Sequence, residues 1–322
     1  MKPGALLPVT PYAWISSNPM PPRQSSGTFF WLILIAAFIG GGLPVAIRIG
    51  VEALNALGFS CARFVIAVVG LVPLVLLSGR TLRSQLRLSP VLLGAALANC
   101  GNVIFFAFGV ARTSPVLSQI LYLLSPPLIC LVEWLFMHEH IRRIQVYGIV
   151  LATLGAGLSI YARLSGHLAG EPLGILLVAL AVLSYSGYPL LSRHARERYD
   201  PLLQTFTMSC ITAVVLAAVA TLTGQTTISS ARALVEGSST VALWRFLAAA
   251  AYAGILGGAV YYLCIQRIVR MASAFSASTV LYLQPATAVF WAWLVDGTLP
   301  SPLLVGGGVV SIFGAWMTSR RG

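Results

Sequence analysis

The sequence predicts an all-α integral membrane protein: ten transmembrane helices forming two inverted five-helix repeats, with both termini in the cytoplasm. Three observations lead there: a deficit of charge, ten apolar runs of membrane-crossing length, and an internal repeat. Of 322 residues, 58% are hydrophobic and 9% charged. Water-soluble domains carry roughly 25% charged residues, so lipid is the solvent this surface suits.

Residues 1–28 are rich in Pro, Ser and Gly and lack an apolar signal-peptide core, so they read as a disordered cytoplasmic tail. A helix crosses a bilayer in roughly 20 residues. The ten runs lie near 29–48, 57–78, 91–110, 114–137, 144–161, 173–192, 201–222, 241–265, 272–295 and 301–318. Backbone groups in lipid need internal partners, and these runs are too long and too uniformly apolar for barrel strands. With a cytoplasmic N-terminus, the inner segments hold 14 of the 20 basic residues, which fixes the orientation. The +12 net charge therefore reports topology, since the basic residues are scattered singly and form no patch for nucleic acid. Cys61, Cys100, Cys130, Cys210 and Cys264 each stand alone in apolar runs, so neither disulfide nor zinc framework is expected.

The repeat emerges when the chain is laid on itself. Residues 112–148 over 270–306 pair Arg112 with Arg270, Ser118 with Ser276, Pro127 with Pro285 and Gly148 with Gly306. Earlier, Gly42, Pro44, Arg48 and Glu52 fall on Gly187, Pro189, Arg193 and Glu197. Each half, 29–162 and 173–320, holds five spans. Five is odd, so the second half enters the membrane upside down. Inverted repeats mark alternating-access transporters, whose sites lie near the midplane where the halves meet.

QILYLLSPPLICLVEWLFMHEHIRRIQVYGIVLATLGAGLSIYA (119–162) places a proline-containing helix, a glutamate, a basic loop and a Q-x-x-G helix in succession. TVLYLQPATAVFWAWLVDG and VGGGVVSIFGAW repeat the plan, and GFSCARF carries Arg63 early in the second span. Over about 29–320 the chain resembles the drug/metabolite transporter superfamily in its ten-helix, EamA-type form. Asp296-Gly297 stands where the first half has His138-Glu139, so the second half departs from the family's glutamate. The resemblance implies export of a small metabolite.

Candidate substrate-binding residues follow from polar groups at mid-depth. Asn99 and Asn102, three apart, share a face of the third span. They suit either a substrate's polar groups or a helix–helix hydrogen bond. Gln119 and Tyr122 lie on the fourth span, Tyr185 and Tyr188 on the sixth, Tyr252 and Tyr262 on the eighth, and Tyr282 and Gln284 on the ninth. Tyrosines usually anchor at the bilayer surface, but several of these sit deeper or beside a proline. Together they suit an amino acid with an apolar side chain, or a related amphipathic compound. Glu133 is an intramembrane acid and so a coupling candidate; its structural alternative is pairing with Arg142 or Arg143. Arg63 could hold an anionic group, reach outward, or pair with Glu52.

Other chemistries fit poorly. His138-Glu139-His140 lacks the i, i+4 histidines of a metal helix, so no metal or other cofactor is expected. The triplet glycines at 40–42 and 306–308 lie inside spans and match no phosphate loop; they read as close helix packing. No G-x-S-x-G occurs, which leaves an intramembrane enzyme acting on a lipid or peptide as the second reading. GGGLPVAIR (40–48) and YSGYPLLSR (185–193) share Gly-x-Pro spacing, so Gly42, Pro44, Gly187 and Pro189 are expected to form paired hinges. The expectation is a multi-pass secondary transporter of the bacterial inner membrane, monomeric or homodimeric, working by alternating access with no nucleotide-driven step.

Overall fold

A computed structural model of the chain describes residues 26–78, 89–110, 112, 121–138, 141–161, 171–195, 199–224, 240–297 and 301–319. Most of the expected N-terminal tail, and Gln119, lie outside these. Among the described residues the regular structure is entirely helical. The helices are α1 (Ser26–Ala53), α2 (Ala56–Leu77), α3 (Pro90–Val110), α4 (Ser125–Met137), α5 (Arg143–Tyr161), α6 (Pro172–Ala195) and α7 (Pro201–Leu222). They continue with α8 (Thr240–Ala251), a π-helical stretch over Tyr252–Val260, α9 (Tyr261–Met271), α10 (Ala274–Ser278), α11 (Val280–Asp296) and α12 (Pro302–Ser319).

Local chemistry sets the ends. Asn55 caps α2 by accepting from the Gly58 N–H at 2.7 Å. Asp200 caps α7 the same way through Leu202 N–H at 3.1 Å, with Pro201 at the first helical position. α4 ends at His138 and α11 at Gly297, both left-handed (φ 53° and 68°), which turns the chain sharply. α1 and α6 run unbroken through Pro44 and Pro189.

Among the described residues, six helical stretches are long and apolar enough to cross a membrane: Gly27–Ala53, Ala56–Leu77, Pro90–Gly109, Pro172–Ala195, Pro201–Leu222 and Thr240–Met271. Shorter apolar helices cover Ser125–Met137, Arg143–Leu158 and Val305–Thr318. Outward faces carry large apolar side chains such as Leu77, Leu154, Val214 and Val241, which a lipid environment accommodates and water does not.

Between apolar helices in lipid, close backbone approach replaces the hydrophobic effect as the source of association. α5 and α12 meet this way. A Cβ on Gly155 would fall on the Ser311 N and Gly307 O, and one on Gly314 would fall on the Ala152 N. A Cβ on Gly148 would lie 2.8 Å from both the Gly314 O and the Thr318 N. The helix contact thus brings Gly148 to Gly314 and Gly155 to Gly307, whereas Gly306 has open space beside it.

The triplet glycine of α1 has a definite use. A Cβ on Gly40 would strike Gln284, one on Gly41 would strike Thr287 Oγ1 and the Ala288 N, and one on Gly42 would strike Tyr252 and Trp291. α1 and α11 therefore lie backbone to side chain along this face, and Thr287 Oγ1 donates to the Ala37 carbonyl at 2.8 Å. At Gly187 the nearest atom is Ala98 Cβ, at 3.8 Å, so the two expected hinge glycines differ in how tightly they are held.

Candidate functional site

A row of aromatic rings runs between the helices. Ring centroids are 5.4 Å apart for Phe106–Tyr122, 6.0 Å for Tyr122–Tyr185, 6.5 Å for Tyr185–Tyr188 and 5.7 Å for Tyr188–Tyr262. Tyr262 continues it to Tyr261 at 5.5 Å and to Phe64 at 5.9 Å. The rings come from α2, α3, the turn before α4, α6 and α9, so elements of both halves of the sequence contribute. Their tilted and edge-on arrangements are the ones the ring quadrupole favours.

Both asparagines hold this row in place. Asn99 Oδ1 accepts from the Tyr262 hydroxyl at 2.9 Å, while its Nδ2 donates to Thr212 Oγ1 at 3.1 Å. Asn102 Nδ2 donates to the Tyr122 hydroxyl and, at 3.1 Å, to the Ala181 carbonyl. The amides thus make the helix-to-helix bonds that were one of their two sequence readings. Gln284 Nε2 donates to the Tyr261 hydroxyl at 3.3 Å, and the Tyr185 and Tyr261 hydroxyls lie 3.5 Å apart. Gln266 Nε2 donates to the Tyr188 hydroxyl at 2.9 Å and to Ser192 Oγ at 3.2 Å; its Oε1 is buried without a hydrogen-bond partner.

Arg63 does not reach outward. It is only 8% exposed, with its guanidinium carbon 4.7 Å from the centroid of the Phe64 ring and close enough to Tyr261 and Tyr262 to act on them electrostatically. Its Nε has no hydrogen-bond partner. Glu52, the carboxylate expected to pair with it, is exposed on α1, while α2 carries Arg63 inward two turns past its Asn55 cap.

Glu133 is likewise engaged, but not with Arg142 or Arg143. Its Oε1 accepts from Arg193 at 2.9 Å and from the Ala274 backbone N–H at 2.9 Å, and its Oε2 accepts from the Phe275 N–H at 3.4 Å. Arg142 and Arg143 are exposed at the start of α5, where the Arg142 N–H donates to the Gln145 side chain. The carboxylate instead ties α4 to α6 and α10, joining the two halves at one end of the bundle.

Two predicted residues fall outside the ring row. Tyr252 donates to the Ile39 carbonyl at 2.9 Å and packs on Trp291 with centroids 5.1 Å apart. Tyr282 is fully buried between α11 and α5, its hydroxyl accepting from Thr153 Oγ1 at 3.1 Å. Tyr261, which sequence reasoning missed, joins the row instead. A π-helical stretch separates Tyr252 from Tyr261 and Tyr262, so α-helical spacing does not carry across it, and the two adjacent rings after it both reach the row.

The family model described as "EamA-like transporter family" matches residues 28–161 and 172–320. A relative from Streptantibioticus cattleyicolor named "Probable terminal-alkyne amino-acid exporter" is 23% identical over 296 residues, covering 90% of this chain and 93% of that protein. A solved structure described as "Crystal structure of protein" shares the fold, with a TM-score of 0.72 at 17% identity, over 92% of this chain and 98% of that one. Since the family's matches span most of its length, the chain belongs to the EamA-like transporter family.

Proposed function

We propose that the chain is a secondary transporter of the inner membrane that exports an amino acid or a related amphipathic metabolite. Its ten transmembrane helices form two inverted repeats, 29–162 and 173–320, with both termini cytoplasmic, and substrate crosses between the repeats by alternating access. The tyrosine row carries this reading. A surface of rings and hydroxyls built by helices from both halves would move apart when the halves move, exposing a bound molecule to one side at a time. Family membership supports transport, and the name of the Streptantibioticus cattleyicolor relative supports an amino acid and the outward direction.

In this mechanism Tyr122, Tyr185, Tyr188, Tyr261, Tyr262 and Gln284 line the path, and Asn99 and Asn102 hold Tyr262 and Tyr122 at its wall. Gly42–Pro44 and Gly187–Pro189 act as the hinges about which α1 and α6 bend. The driving force is the substrate gradient, a counter-substrate or protons.

The test is efflux from liposomes holding purified protein and a panel of labelled amino acids. Release faster than from empty liposomes is expected for at least one; no release of any, from folded protein, refutes the proposal. Turnover of a lipid or peptide in the same preparation would favour the enzyme reading instead. Replacing Pro44 and Pro189 together by Ala is expected to slow efflux, and unchanged efflux would remove the hinges.

A further inference from the structure

Arg63 is a buried cation that the described structure leaves without a counter-ion. A guanidinium stays charged at any physiological pH and presents five N–H donors in a planar fork. Taking such a charge out of water is costly unless it is paired. Yet Arg63 is 8% exposed, its Nε meets no acceptor, and no carboxylate among the described residues pairs with it. The ring of Phe64 offsets part of the charge but accepts no conventional hydrogen bond. The neighbouring hydroxyls take no hydrogen bond from it: Tyr262 donates to Asn99, and Tyr261 accepts from Gln284. Glu133, the buried acid among the described residues, is bound to Arg193, Ala274 and Phe275.

We propose, resting on the transporter reading above, that Arg63 is the receptor for a substrate carboxylate at the Phe64, Tyr261 and Tyr262 end of the ring row. A carboxylate matches the guanidinium fork with two parallel hydrogen bonds. Its single charge balances that of Arg63, whereas a phosphate dianion would call for a second cation. Arg245 and Arg267, on the flanking α8 and α9, are exposed. The rings receive the apolar body of the same molecule. Gln266 lies one helical turn beyond Tyr262 on α9, and its unpartnered Oε1 is a buried acceptor for a substrate N–H. The substrate class is thus a small monocarboxylate with an apolar side chain, and the amine decides whether it is an amino acid or a simple acid.

Two matched sets of probes separate these features: leucine, 4-methylpentanoate and leucinamide, then propargylglycine, 4-pentynoate and propargylglycinamide. Binding to detergent-purified wild type, R63Q and R63K is measured by calorimetry, and efflux of the same probes from liposomes. In the wild type, the acids of at least one set should bind about tenfold or more tightly than its amide. R63Q should bind acid and amide alike, and R63K should keep part of the preference. R63Q removes an unpaired buried charge, so a wild-type unfolding temperature is expected and shows that the binding change is local. Tighter binding of the amino acid than of the simple acid identifies an amino-acid substrate, and the reverse a simple carboxylate; both uphold the receptor. Equal affinity for acid and amide in the wild type, or a preference that survives in R63Q, overturns it. Efflux confined to uncharged or cationic solutes would overturn the carboxylate receptor while leaving the transporter reading intact. Neither binding nor efflux of any probe, together with no release in the wider amino-acid panel, would remove both.

Discussion

Breaking the Glu133–Arg193 pair should cost more than a surface ion pair, and exchanging its members should fail to restore it. Glu133 is 4% exposed, and only one of its three hydrogen-bond partners is a side chain. In R193Q the carboxylate keeps the Ala274 and Phe275 N–H groups but loses its counter-charge, a loss of about 3 kcal/mol for a buried pair deprived of one partner. In E133Q the amide oxygen can still accept from Ala274, but its NH2 faces donors; about 2 kcal/mol is expected. The double variant should be less damaged than the two singles together, by about 1.5 kcal/mol, because each single leaves a group stranded that the double does not. The charge-exchanged protein E133R/R193E should be worse than either single, since a guanidinium at 133 would point its donors at two backbone donors. Unfolding free energies in mixed micelles, measured for all five proteins, decide the matter. Single effects that add to within about 0.5 kcal/mol, or recovery in the exchanged protein, would refute the account.

Three other perturbations test the remaining geometry. Gly155→Ala should destabilise the protein by about 1–3 kcal/mol, because its methyl would meet the backbone of Ser311, while Gly157→Ala and Gly306→Ala, beside open space, should be neutral or gain up to about 1 kcal/mol. Tyr262→Phe should cost about 1 kcal/mol by leaving the Asn99 oxygen without its donor, and should weaken substrate binding; thermal unfolding and binding titration read the two effects separately. Glu133→Gln should leave the pH profile of efflux unchanged in shape, since the carboxylate is held as a structural acceptor; loss of the pH dependence would make it the coupling site.

Features that depend on neighbours along the chain were readable in the sequence, and features that depend on distant partners were not. The triplet glycine at 40–42 was read as a packing surface, and α11 lies against it. Tyr122, Tyr185, Tyr188 and Tyr262, four of the tyrosines singled out from the sequence, meet in one row. The partner of Glu133 was misjudged because Arg142 is near in sequence, while Arg193 arrives only through the contact of α4 with α6. Tyr261 is missed because a single helical face admits only one of two adjacent rings, whereas here Tyr261 and Tyr262 both join the row, edge-on to each other.

The two ends of the bundle are closed by different chemistry. At one end Glu133 gathers α4, α6 and α10 with a carboxylate. At the other, Trp291 donates to the Phe38 carbonyl at 2.9 Å and packs with Phe38 and Tyr252, both at 5.1 Å. Arg193 is mostly buried in its pair, whereas Arg48 on α1 is exposed. Two closures of different chemistry respond differently to their surroundings. An ionic closure depends on desolvation and opens as water enters, whereas an aromatic one is held by packing area and tolerates wetting at its rim. Under the alternating-access proposal, such a difference would set unequal opening energies at the two ends and so decide which end is open at rest. The direction of net transport would still be set by the gradients.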